Sequence, residues 1–263
     1  DSMKTRDREQ KTDGHQDNYI GHRAKIGVII PSTNTSVEYD CQRVIPRGVS
    51  WHFSRFMIEH ADLSDDKNFI KFLEMLRETI GSSIESLMTC KPDHVMMGMS
   101  AETFWGGVEG SVEFEKNIRE HIGDIGLTTG ATATRDALEC FGAKTISVIT
   151  PYPQVGDDNV RQYFEEIGYT VKSVKGLNRP SATAIAETSI KDVINAIKEV
   201  DGDNVDAIVQ CGTNLSTVDL FPTLEHVLEK PLIPINVATV WHALRACGID
   251  DKVTGKGRLL EEF

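Results

Sequence analysis

The chain has 263 residues, 40% of them hydrophobic and 26% charged, with a formal net charge of -12 and a sequence pI near 5.1. That balance supports a buried core and excludes wholesale disorder, while the scattered Lys and Arg residues leave no basic stripe for nucleic acid or an anionic membrane. No apolar run approaches the roughly 20 residues that span a bilayer and the N-terminus is too polar for a signal peptide, so a cytoplasmic protein is expected.

Residues 1–23 are rich in Lys, Asp, Gln and Arg without apolar periodicity, and predict a flexible polar tail. From Lys25 onward, short apolar runs at Ile26–Ile30, Val95–Met97, Thr145–Ile149 and Ala207–Val209 read as buried parallel strands. Helical spacing fills Phe69–Leu87, Val112–His121, Asn159–Ile167 and Ala182–Val200, so strands and helices alternate and predict a doubly wound, Rossmann-like α/β fold. No Gly-x-Gly-x-x-Gly follows a strand and no Gly-Lys-Ser/Thr loop exists, which removes the usual signs of dinucleotide or nucleoside triphosphate binding.

The five cysteines, Cys41, Cys90, Cys140, Cys211 and Cys247, are odd in number and contain no Cys-x-x-Cys pair. This argues against a disulfide framework and a zinc cluster, and no metal site is expected. Only Cys211 sits in a predicted strand-end turn; the others read as small buried hydrophobes or idle thiols.

The chain also repeats itself. Lys25-Ile-Gly-Val-Ile-Ile-Pro31-Ser matches Lys144-Thr-Ile-Ser-Val-Ile-Thr-Pro151-Tyr about 120 residues later. Likewise Pro92-Asp-His-Val-Met-Met-Gly98-Met-Ser100 matches Val205-Asp-Ala-Ile-Val-Gln-Cys211-Gly-Thr213, which makes Gly98 and Cys211 equivalent. Two similar parallel-sheet halves are expected, residues 24–140 with 231–263 and residues 141–230, related by a pseudo-twofold axis. Their strand ends would then face one cleft, where open α/β sheets bind ligands.

These residues resemble the aspartate/glutamate racemase superfamily, in the branch of maleate cis-trans isomerases and arylmalonate decarboxylases. Pro31-Ser-Thr-Asn34-Thr-Ser-Val-Glu38 is similar to the isomerase first-strand loop, Pro151-Tyr152 to a turn carrying a substrate tyrosine, and Asn236 to Arg245 to the C-terminal helix entry. Racemases and isomerases of the superfamily use two opposed cysteines; here Gly98 stands at the first position and Cys211 at the second, as in arylmalonate decarboxylases.

The resemblance implies a cofactor-independent lyase or isomerase acting on a small carboxylate. Cys211 would donate a proton to an enediolate, with malonate-type decarboxylation preferred, maleate-type isomerisation or racemase-like chemistry as the alternative, and non-catalytic binding of a small acid as the third reading. Ser100, Tyr152, Gly212 and Thr213 would cradle the oxyanion, with Pro31, Asn34, Gly98, Met99 and Asn178 completing the substrate site. Met99 and the Phe104-Trp105 pair would form the dry wall, nearby N–H dipoles would lower the Cys211 thiol pKa, and Glu102 and His242 read as solvent-exposed or helix-face groups. Either a monomer or a homo-oligomer fits the resemblance, and the periodicity marks no interface.

Overall fold

A computed structural model describes residues 20–59 and 62–263. Most of the tail predicted over residues 1–23 lies outside the described residues. Its last part is tied down: Arg23 donates to both carboxylate oxygens of Asp251, at 2.9 and 2.6 Å, and to the Arg47 carbonyl at 3.0 Å.

Four strands, β1 (Ala24–Pro31), β2 (Val49–Phe56), β3 (His94–Met97) and β4 (Gly126–Thr128), form a parallel sheet in the order β2-β1-β3-β4. Another four, β5 (Thr145–Thr150), β6 (Thr170–Gly176), β7 (Ala207–Gln210) and β8 (Leu232–Pro234), repeat it as β6-β5-β7-β8. The predicted runs became the central strands of each sheet, because burial on both faces selects continuous apolar residues. The strands missed in the sequence are the edge strands β2 and β6, most of whose residues are only partly buried, and the three-residue β4 and β8.

The repeat holds at the level of single hydrogen bonds. Asp93 accepts from the Lys25 N–H at 2.9 Å and returns its own N–H to the Lys25 carbonyl at 2.8 Å. Asp206 makes the same exchange with Thr145, at 2.8 Å in both directions. At the opposite strand ends, Gly98 N–H donates to the Ile29 carbonyl at 2.6 Å and Cys211 N–H to the Ile149 carbonyl at 2.9 Å.

Two predicted boundaries need correction. The helix expected over Ala182–Val200 is broken into Ala182–Ala186 and Ile190–Val200, because the Ser189 side chain accepts from Asp192 N–H at 3.1 Å and starts a new helix. The return to the N-terminal half falls after Pro234, not at residue 231, since β8 still pairs with β7 while the helix Ile235–Ala246 packs on the helix Gly130–Phe141 and on β3 and β4.

The halves share a core. Phe104 from the first half is fully buried against Tyr163 and Phe164 of the second, with ring centroids 5.3 and 5.6 Å apart. Burying one such ring contributes about 2–3 kcal/mol, and here it also holds the two sets of strand ends together.

Candidate active site

The C-terminal ends of the four central strands converge. The turn after β1 brings Pro31, Thr33 and Asn34; that after β3 brings Met99, Ser100 and Glu102; that after β5 brings Pro151 and Tyr152; and that after β7 brings Gly212, Thr213 and Asn214 to the same cavity. Its volume of about 60 Å³ suits a few water-sized groups, the scale of a small organic acid. The helix Asp66–Met88 closes one side with Phe69, Phe72, Leu73 and Leu76. That helix begins where the Asp65 carboxylate accepts from Asn68 N–H at 2.8 Å, a cap worth about 1 kcal/mol.

At the polar end, hydroxyls from the two halves meet. The Ser100 hydroxyl is hydrogen-bonded to the Tyr152 hydroxyl and accepts from Thr213 N–H at 3.4 Å, while Asn34 Nδ2 donates to Thr213 Oγ1 at 3.2 Å. Ser100, Tyr152, Thr213 and Asn34 are all buried, and neutral donors replace Lys and Arg along the cavity lining. Asn34 is also structural, because its Oδ1 accepts from the N–H groups of Ser36 and Val37, at 3.0 Å each. Gly212 is required where it stands: its φ is +116°, and a Cβ there would lie 2.5 Å from Pro151 Cδ.

Sequence reasoning missed two supports of this cradle. Asn214 staples the loops, its Oδ1 accepting from Thr35 and Ser36 N–H at 3.0 and 3.2 Å and its Nδ2 donating to the Ala182 carbonyl at 2.9 Å. Asn236 donates to the Thr213 carbonyl at 2.8 Å and to Asp40 Oδ2 at 2.7 Å. The available signals were the Gly-Thr-Asn run directly after Cys211 and the Asn236 that opens the family-like helix entry; their partners, most of them far away in sequence, were not readable.

Cys211 is fully buried directly after β7, behind the cavity lining rather than in it, next to the lining residue Gly212 and within electrostatic reach of Tyr152 and Asp157. The expected lowering of its thiol pKa is overturned: burial pushes the thiol far above its usual range, and the nearby Asp157 carboxylate pushes it further. Burial likewise raises the Tyr152 phenol. The thiol is therefore held as S–H, the form that gives a proton rather than the form that attacks carbon.

Gly98 leaves no room for a second cysteine. A Cβ there would sit 2.5 Å from Ile30 Cγ2, 2.9 Å from the Ile29 carbonyl oxygen and 3.2 Å from Val37 Cγ1, so the glycine marks a filled position outside the cavity lining.

Other expectations are corrected here. Asn178 is exposed and outside the lining; it takes a left-handed turn with φ of 46° and donates its N–H to the Tyr152 carbonyl at 3.2 Å, supporting the site loop from behind. The dry wall comes from the helix Asp66–Met88 and Met99, since Phe104 packs in the interhalf core and Trp105, 6.1 Å from Phe69 between ring centroids, lies outside the lining. Glu102 is 2% exposed and lines the cavity. His242 is half-buried away from the cavity, its ring bridging Thr128 Oγ1 at 2.6 Å and Asp136 at 3.2 Å. Cys41 is buried as expected, Cys90 is exposed, and Cys140 and Cys247 are intermediate.

Two parallel-sheet halves of identical strand order, with the ends of their central strands set around one cavity, define an α/β enzyme fold. The chain belongs to the arylmalonate decarboxylase family, whose family model matches residues 26–260. It is similar to maleate isomerase of Alcaligenes faecalis, 20% identical over 90% of this chain and 96% of that one. Arylmalonate decarboxylase of Bordetella bronchiseptica is 25% identical over 64% of this chain and 70% of its own. Among solved structures, a maleate cis-trans isomerase from Nocardia farcinica bearing a covalent succinylcysteine intermediate superimposes with a TM-score of 0.81, at 22% identity, covering 91% of this chain and 99% of that one. Unliganded arylmalonate decarboxylase gives 0.71, at 21% identity, covering 91% and 100%. No helix among the described residues is long and apolar enough to cross a membrane.

Proposed function

We propose that this member of the family is a cofactor-independent lyase that decarboxylates a small malonate-type acid, with Cys211 as the proton donor. The observation that carries the reading is the inequality of the two equivalent positions: Ile30 occupies the space a side chain at Gly98 would need, and Cys211 stands as a buried, protonated thiol. A racemase needs a proton acceptor and a donor on opposite faces, and an isomerase needs a thiolate to add across the double bond. A single S–H serves neither role and suits protonation of a carbanion equivalent.

In this mechanism one substrate carboxylate rests on Ser100, Tyr152, Thr213 and Asn34. The other faces the apolar wall of Phe69, Phe72, Leu73 and Leu76, where loss of hydration favours its departure as carbon dioxide. The C–C bonding pair moves into the retained carboxylate to form an enediolate, stabilised by donors already in place. The Cys211 S–H then delivers its proton to the α-carbon, and the thiolate is reprotonated from water before the next turnover.

The maleate isomerase relatives favour cis-trans isomerisation as the second reading. Proton NMR in deuterated buffer separates the two: wild type and Cys211→Ala are incubated with substituted malonates and with maleate, without added metal or cofactor. Loss of a malonate with deuterium at the product α-carbon, dependent on Cys211, is the expected result. Conversion of maleate to fumarate with malonates untouched would replace decarboxylation by isomerisation, and silence across the panel would leave a binding role.

A further inference from the structure

Glu102 breaks the logic of a site built to hold anions. It lies two residues after Ser100, on the first turn of the helix Ala101–Phe104, and lines the same cavity as the hydroxyl cradle. Its side chain is 1% exposed, yet it is an acid. One carboxylate oxygen, Oε1, accepts from Arg77 Nε at 2.6 Å; the other, Oε2, is buried and has no hydrogen-bond partner among the described residues.

A buried carboxylate oxygen without a donor is costly, and most such atoms in folded proteins find a partner. Burial raises the Glu102 carboxyl above its usual range, and the 57% exposed Arg77 guanidinium offsets only part of that rise. The cavity residues Leu76, Met99 and Ala101 carry no side-chain donor, and Glu102 also lines, with Leu76 and Arg77, an adjoining cavity. With Oε1 taken by Arg77, Oε2 is the carboxylate oxygen left to meet a donor on a bound molecule.

We propose that Glu102 determines specificity by accepting a hydrogen bond from an amino or hydroxyl group on the substrate, so that the cavity selects small carboxylic acids bearing such a donor over those with a methyl group in its place. This rests on the reading that a carboxylate sits against Ser100, Tyr152 and Thr213. It goes beyond it by assigning the substituent: the hydroxyl cradle reads the acid, Glu102 reads the donor, and the apolar wall excludes water from both.

The test is calorimetric binding of three acids of matched shape, 2-methylpropanoate, 2-hydroxypropanoate and 2-aminopropanoate, to the wild-type protein and to Glu102→Gln. None carries a second carboxylate, so none can decarboxylate and binding is read apart from turnover. The expected order is amino, then hydroxyl, then methyl, with the amino acid about tenfold or more tighter than the methyl acid, the scale of a hydrogen bond to a charged group. In Glu102→Gln, which keeps the shape but loses the charge, the amino preference should fall below about threefold. Equal affinities in the wild type would overturn the inference whether or not the variant folds, and would leave the cradle intact. Binding by none of the three would overturn the cradle and this inference together. The expected order without any turnover of malonates would uphold Glu102's role and remove the lyase reading.

Discussion

Gly98 and Cys211 occupy the same place in the two halves, each donating its N–H to the carbonyl of the neighbouring central strand, Ile29 at 2.6 Å and Ile149 at 2.9 Å. One carries the thiol. The other is walled in by Ile30 and Val37, so the asymmetry of the site is built into its packing as well as its chemistry.

Gly98→Cys should therefore be destabilising, by about 1–3 kcal/mol, as overpacking usually is. Combining it with Ile30→Ala should cost less than the sum of the two single changes, because the removed methyl groups vacate the space the new side chain needs. Urea denaturation of the two single variants and the double variant measures this; strict additivity would show that the predicted clash is relieved in another way.

The thiols should differ sharply in reactivity. Cys90 is exposed and should be alkylated first, whereas Cys211 is buried with its pKa raised and should react slowly at neutral pH. Mass spectrometry of a timed alkylation gives the order directly. Rapid labelling of Cys211 at pH 7 would show an activated thiolate and favour the isomerase chemistry.

Tyr152 and Ser100 share one hydrogen bond between the halves. Tyr152→Phe and Ser100→Ala should each lower kcat/KM for a decarboxylated substrate by about 10²–10³-fold, the range for removing one oxyanion donor, at a stability cost near 1 kcal/mol. Because the two hydroxyls act as a unit, the double variant should lose much less than the product of the single losses. Multiplicative losses would mean that they hold separate substrate atoms.

Stability should respond to pH in two opposite senses. Burial raises the Asp157 carboxyl to about 7, although Thr150 Oγ1 donates to it. The folded state binds that proton more tightly, so this contribution is present below about pH 4 and lost as pH rises through about 7. Burial lowers His94 to about 3, aided by the positive charges of His242 and Arg119. That contribution is complete above about pH 6.5 and is lost as pH falls toward 3. Each is worth a few kcal/mol at most. Asp157→Asn should flatten the decline between pH 4 and 7, and His94→Gln should flatten the acid-side loss, both read from denaturation midpoints across pH. An unchanged slope in either variant would remove that group as the cause.

Much of the fold is legible in the sequence, because local and repeated patterns are written there directly. The four apolar runs identified the central strands, and the paired Pro31/Pro151 and Gly98/Cys211 positions identified the repeat and four of the turns at the site. Edge strands β2 and β6 are not legible, since a partly buried strand mixes polar and apolar residues in short compass.

Tertiary structure decided what depends on distance in space. The protonation of Cys211 follows from complete burial and from Asp157, which lies 54 positions earlier in the chain; local N–H dipoles alone had suggested the opposite shift. The filled space beside Gly98 depends on where Ile30 and Val37 point, and the apolar wall on a helix far from the motif residues. Glu102 looked like an ordinary polar residue of a helix start until the fold buried it with one oxygen unpaired. Residue type and spacing determined which groups reach the cleft, while packing determined their charge, their partners and the room left between them.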